Sequence, residues 1–362
     1  MLFQKTARSA TALFGFLFCV AFAAQAQTAA AVKLPNVTIL ATGGTIAGTG
    51  ATSTTTVGYT AATVGIQTLI SAVPEMTKIA NVSGEQVFQI ASENMGNEHW
   101  LALAKRVNTL LAQPGVDGIV ITHGTDTLEE TAYFLNLVVK SRKPVILVGS
   151  MRPSTALSAD GPVNLYNAVM LAGSQEAVGR GVLVAMNDQI NGARDVTKSN
   201  TTTTDTFKAS ELGMLGYIQG GKPYFYRTAL RRHTVETEFD VTNLSALPQV
   251  EVAYAHANVG PVAIEALVGA GAKGLIHAGV GNGSLPAKVR PALSSARKKG
   301  VIIVRSARVG QGIVARNGEA NDDELDFVAG DNLSPQKARI LLMLALTRTS
   351  NTRDIQKMFS TY

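Results

Sequence analysis

Two threonines stand where a chain of this type could do chemistry. Thr45 follows Gly43 and Gly44 at the end of the apolar run Val37-Thr-Ile-Leu-Ala-Thr42, and Thr125 stands in the turn Thr122-His-Gly-Thr125-Asp126-Thr127 behind Gly118-Ile-Val-Ile. Such runs lift the backbone to the edge of a sheet, and glycines then let it turn through angles that other residues avoid. Open α/β sheets bind ligands at the carboxyl ends of their strands. Two hydroxyls at two such ends suit a hydrolytic site.

A threonine hydroxyl is a weak nucleophile at neutral pH, so a partner must take its proton. Histidine is poorly supplied: the five histidines show neither HExxH nor any other metal-ligand spacing. No metal is expected. His123 reads as a base or as an imidazole packed beside a strand end. Lysine is the other candidate base, because desolvation beside hydroxyls lets an amine accept protons near neutrality. Lys198, in Gly192-Ala-Arg-Asp-Val-Thr-Lys198, lies in a polar segment between two apolar stretches and reads as a base or a surface charge. Asp126 could orient such a lysine or bind a substrate ammonium. Equally, it could favour a helix N-terminus, where a carboxylate is worth about 0.3–1 kcal/mol. Backbone amides in both glycine turns could stabilise an oxyanion, each donor commonly worth about 10²–10³ in rate. Phosphate binding is the rival use of glycine turns. Residues 43–49 lack the Walker lysine and GxGxxG spacing, and Gly279-Val-Gly281-Asn-Gly283 lacks its acidic partner, so no nucleotide cofactor is expected.

The positioning elements alternate. Apolar runs at 37–42, 86–91, 118–122, 144–149 and 181–186 predict strands, and periodic stretches at 65–73, 97–111, 126–140 and 164–172 predict helices. Thr127 and Glu130 have capping-box spacing. The alternation resumes with strands at 250–255, 274–278 and 301–305 and helices at 261–271, 287–298 and 335–346. The pattern predicts two α/β domains: a larger N-terminal one at 34–225 with a mostly parallel sheet, and a smaller parallel-sheet one at 249–362. The more polar stretch 226–248 is the expected linker.

Residues 1–26 read as an export signal: Lys5 and Arg8, an apolar core at 13–23, and small residues at Ala24-Gln25-Ala26. The apolar stretch is too short for a span, so no membrane association is expected after cleavage. Cys19, the one cysteine, follows Leu17 and Phe18 rather than a lipoprotein signal's small residues, and cysteine chemistry is excluded from the mature chain. The net charge of +6 includes Lys5 and Arg8, and the rest is spread thinly. Arg231-Arg232-His233 and Lys298-Lys299 lack interleaved aromatics, so nucleic acid is not an expected partner.

Ala41-Thr-Gly-Gly-Thr45-Ile-Ala-Gly48 and Gly118-Ile-Val-Ile-Thr-His-Gly-Thr125-Asp126-Thr-Leu-Glu-Glu-Thr131 resemble the two signatures of the bacterial-type, exported L-asparaginases, a family that includes periplasmic glutaminase-asparaginases. Ser150-Met-Arg-Pro153, Ala159-Asp-Gly161, Asn164-Leu-Tyr-Asn167 and Arg194-Asp-Val-Thr-Lys198 match further blocks, in order, across residues 34–362.

The resemblance implies hydrolysis of L-asparagine and L-glutamine to the acid plus ammonia, without cofactor, in the periplasm. Thr45 would be the nucleophile and Tyr59 its proton partner. Thr125, Asp126 and Lys198 would form the second catalytic cluster. Ser92 and Glu93 would hold the α-carboxylate and α-amino group, the amides of Gly44 and Thr125 would form the oxyanion hole, and the Ser150 carbonyl would receive the leaving amide. Glu319 would reach the α-amino group from a neighbouring subunit of a homotetramer. Glu93 stands where some members carry glutamine, and Ser284 where some carry asparagine. Both departures resemble the dual-specificity members, and one methylene is worth only about 1–3 kcal/mol of discrimination. The rivals are an asparagine-selective enzyme, a non-catalytic periplasmic amino-acid-binding protein, and an amidase for peptide or transfer-RNA-linked amides.

Overall fold

Runs apolar on both faces are buried only between helical layers, and the valine- and isoleucine-rich segments become strands of two such sheets. The computed structural model describes residues 33–362; the expected leader at 1–26 lies outside them. In the large sheet β1 (Asn36–Gly43), β2 (Asn81–Ile90), β3 (Gly118–Thr122), β4 (Val145–Val148) and β5 (Val182–Met186) run parallel in the order β5-β4-β3-β1-β2. The chain leaves β1 for β2 on one side and returns to β3 on the other. That makes the β1/β3 boundary a switch point of the kind that opens a ligand crevice. Leu40 pairs with Ile121 and Ala41 with Thr122, so both strands end at one level.

Period-two alternation assigns the two cores. Val37, Ile39 and Ala41 face a cluster built with α1 (Ile66–Ser71) and α4 (Gly161–Ala172). Leu40, Ile119 and Ile121 face α2 (Asn97–Leu111) and α3 (Leu128–Val138), where Trp100 stacks on Phe134 at 5.4 Å.

Three strands of the large sheet were not expected from the sequence. β6 (Gln189–Gly192) pairs antiparallel with β5, and β9 (Gly216–Gln219) and β10 (Lys222–Phe225) continue that edge, giving eight strands. They are short, and β9 and β10 expose every second residue, so no apolar run marks them. Between them, β7 (Thr197–Lys198) and β8 (Phe207–Lys208) form a separate two-stranded ribbon.

The small sheet is parallel throughout, in the order β11 (Val250–Tyr254), β12 (Gly274–Gly279), β13 (Ile302–Ala307), β14 (Val328–Ala329). α5 (Val262–Gly269) and α6 (Arg290–Lys298) cover one face around Leu275, Leu293 and Ile303. After the short α7 (Asp322–Leu325), α8 (Pro335–Ala345) and α9 (Thr352–Thr361) cover the other, and α8 also packs on α3. The helix α9 was not anticipated. The stretch 226–248 has one turn at Thr234–Glu236 but buries Phe239 and Val241 in the core.

The capping box is corrected. The helix starts at Leu128, and Thr127 makes no side-chain cap. Its hydroxyl is instead turned to a tertiary acceptor, donating to the Ser92 carbonyl at 2.8 Å.

Candidate active site

Three strand ends interlock through missing side chains. Gly44 has φ 80°, and a Cβ there would stand 2.2 Å from Gly124 Cα. A Cβ on Gly124 would meet Ser92 Oγ at 2.5 Å. The loops after β1, β2 and β3 therefore approach one another as only glycine permits. Ser92, on the turn after β2, ties them further, its Oγ accepting the Asp126 N–H at 3.2 Å.

Thr45 and Thr125 are both buried at the edge of one cleft of about 500 Å³. Tyr59 reaches Thr45, with 2.8 Å between the two hydroxyl oxygens. The Tyr59 loop is docked by a Thr49–Thr60 bridge and by the Ser154 amide and hydroxyl on the Gly48 carbonyl. Facing them, Lys198 Nζ donates to Thr125 Oγ1 at 3.0 Å and to Asp126 Oδ1 at 2.6 Å. Lys198 is largely buried while Asp126 is more than half exposed. The carboxylate thus meets both the amine and the open cleft. The geometry pairs the two: Lys198 is not an exposed free charge, and the Asp126 carboxylate accepts from it.

Glu93 and Gly44 complete the set of expected residues that line this cleft. Ser150 does not line it; its neighbours Met151 and Arg152 do, and Ser150 Oγ donates to the Arg152 carbonyl at 2.8 Å. Asp160 shapes that loop by accepting the amides of Met151 and Arg152 at 2.9 and 3.0 Å. Ser284 and Glu319 also stand outside the cleft, at loops around the end of the small sheet. One subunit does not bring them to Thr45.

The Gly44 oxyanion role needs correction. Its N–H donates to the Ile90 carbonyl at 3.1 Å, so that donor is spent and the glycine serves close approach. The N–H groups of Thr45 and Thr125 have no acceptor among the described residues, which makes the Thr45 amide a donor that the sequence did not suggest.

His123 is not a base here. It is fully buried, and burial pushes its pKa down to about 4. Nδ1 lies 2.7 Å from the Gly124 carbonyl and Nε2 2.9 Å from Thr131 Oγ1, which accepts from Trp100 Nε1 at 2.9 Å. Trp100 can only donate, so the chain of bonds assigns the proton to Nδ1, and the imidazole steadies the Gly124 turn. Among the described residues no group of His, Cys, Asp and Glu could hold a metal ion.

A hydroxyl pair and a hydroxyl–amine–carboxylate chain at the switch point of a parallel sheet define a hydrolase-type centre. The family model described as Asparaginase, N-terminal, matches residues 36–231, and that described as Glutaminase/Asparaginase C-terminal domain matches residues 249–359. The chain belongs to this family and is an amidohydrolase. It is 56% identical over 331 residues to the glutaminase-asparaginase of Pseudomonas fluorescens biotype A, covering 91% of each chain. It is 51% identical over 360 residues to L-asparaginase 2 of Escherichia coli, covering 99% of each. A Haemophilus influenzae relative, 50% identical over 95% of this chain and 98% of its own, is named as a periplasmic L-asparaginase. The solved structure of a Campylobacter jejuni L-asparaginase described as cytoplasmic matches with a TM-score of 0.88 and 49% identity, over 91% of this chain and all of that one.

Proposed function

We propose that this protein is an exported glutaminase-asparaginase that hydrolyses L-asparagine and L-glutamine with Thr45 as nucleophile. The observation that carries the reading is the 2.8 Å Thr45–Tyr59 hydroxyl pair opposite the Thr125–Lys198–Asp126 chain. Thr45 Oγ attacks the side-chain amide carbon as its proton passes to Tyr59. The N–H groups of Thr45 and Thr125 hold the oxyanion. Collapse breaks the C–N bond as the nitrogen takes from Tyr59 the proton that came from Thr45, and ammonia leaves. Water then adds to the Thr45 ester, its proton accepted through Thr125 by the Lys198–Asp126 pair, and that proton passes to Thr45 Oγ as the C–Oγ bond breaks and the acid departs.

Ser92 and Glu93 hold the α-carboxylate and α-amino group, with Asp126 beside the latter. Ser150, Ser284 and, from a neighbouring subunit, Glu319 complete the site in a homotetramer. The position of Glu319 outside the Thr45 cleft of its own subunit supports this sharing. Periplasmic location rests on the leader at 1–26 and on the relative named as periplasmic.

The test is ammonia release from both amides by the purified protein and by Thr45→Ala. Release from both by the parent, and loss in a folded Thr45→Ala, is the expected result. Release from asparagine alone selects the asparagine-specific enzyme, and no release from either leaves a binding protein. Mixing Thr45→Ala with Glu319→Ala protomers tests sharing: hybrids regain activity if each site draws on two subunits, and stay dead otherwise.

A further inference from the structure

One buried cation takes no part in that chemistry. Lys337, on the first turn of α8, is 3% exposed among the apolar neighbours Ala338, Ile340 and Leu341. Its Nζ donates to the carbonyls of Ala193 at 3.0 Å, Arg194 at 2.8 Å and Val196. All three ammonium protons are thereby used. No carboxylate lies within ion-pair distance of it among the described residues. Glu129, Glu130 and Asp195 attract it from farther away, Arg194 opposes them, and burial pushes its pKa down to about 8.

A buried ammonium without a close counter-ion is costly, and an apolar side chain on α8 would avoid the cost. Three converging carbonyls would also repel one another without a cation among them. The turn they form runs from β6 directly into β7, whose second residue is Lys198. The same turn is closed by the Asp195 and Val196 amides on the Gly192 carbonyl. Its outer side is held by Arg194, which pairs with Asp331 and donates to the Tyr362 carbonyl.

We propose that Lys337 is a positioning residue: its ammonium gathers the Ala193, Arg194 and Val196 carbonyls into the turn that sets Lys198 against Thr125 and Asp126. The inference rests on the reading of Lys198 given above. It makes α8, a helix of the small sheet, part of the machinery that aligns the amine on the β7–β8 ribbon. Losing the cation lets β7 shift, and a displacement of about 1 Å at a reacting group costs on the order of 10²-fold in rate.

The experiment is a double-mutant cycle on the full chain, with ammonia release from L-asparagine as readout. Lys337→Met should lower kcat by about 10- to 100-fold with KM changed less than about twofold. In a Lys198→Met background the same change should cost less than about twofold, because the group it positions is gone. Equal losses in both backgrounds, or a loss in KM alone, would mean a merely structural role and overturn the inference. Lys337→Gln keeps two N–H donors but no charge and should fall between the parent and Lys337→Met. It answers the question if the methionine variant does not fold, and a parental kcat in Lys337→Gln would count against positioning. A Lys198→Met enzyme with normal kcat removes the reading of Lys198 and this inference together. A silent Lys337→Met beside a crippled Lys198→Met removes this inference alone.

Discussion

The carboxyl ends of the two parallel sheets are used in opposite ways. At the large sheet, β1 and β3 end in loops whose hydroxyls, amine and carboxylate face an open cleft, and two amides there have no protein acceptor among the described residues. At the small sheet, Arg305 of β13 fills the equivalent place. Arg305 and Asp322 are both fully buried and meet twice, at 2.6 Å each. The remaining guanidinium protons go to the carbonyls of Asn282, Gly283 and Ala315. A strand end offers a place for polar groups in either case. Groups left with spare hydrogen-bonding capacity can act on a substrate; groups with none hold shape. The saturated pair fixes the loops that carry Ser284 and Glu319.

Breaking the open end should remove activity and spare the fold. Thr45→Ala is expected to lower kcat by at least about 10⁴-fold while the denaturation midpoint moves by less than about 1 kcal/mol. A folded variant with near-parental ammonia release would end the nucleophile assignment. The closed end should respond in reverse. Arg305→Met leaves the Asp322 charge buried without its partner and should cost about 3–5 kcal/mol in urea unfolding. Should the unfolding curve be unchanged, the saturated pair is not what holds that edge.

Subtler changes sharpen the contrast. Tyr59→Phe removes one hydroxyl from the pair and should slow kcat by about 10²-fold, within the usual range for positioned proton transfer. A steady kcat would shift that role elsewhere. The smallest effect concerns pH. His123 has a folded pKa of about 4 against an ordinary 6.5, so on acidification the unfolded chain takes up its proton first. Its contribution to stability is complete above about 6.5 and is lost as pH falls towards 4. Between pH 7.5 and 5 the parent should lose about 2 kcal/mol more than His123→Gln. Parallel stability–pH curves would show that the imidazole titrates normally.

How far the fold was legible depended on burial. β1 and β3 were readable because their neighbours on both faces are apolar, and the residues carry that directly. β6, β9 and β10 were not, since each has only four residues, and in β9 and β10 every second one is exposed. Thr127 misled for another reason: its spacing to Glu130 suited a local cap, yet its hydroxyl went to Ser92, 35 residues away in sequence. Gly44 was expected for its amide, whereas the structure uses the absence of a side chain against Gly124.

Residue type and order alone determined the alternation of strands and helices, the placing of two glycine–threonine turns at strand ends, and the family resemblance that implies roles for Tyr59 and Lys198. Partnership belonged to the tertiary structure: Lys198 meets Thr125 across 73 residues, and Lys337 meets Ala193 across 144. Periodicity records which side of an element is dry, because burial acts on each residue singly. A hydrogen bond needs two groups brought within 3 Å by the whole chain's closure, and no local pattern encodes that distance.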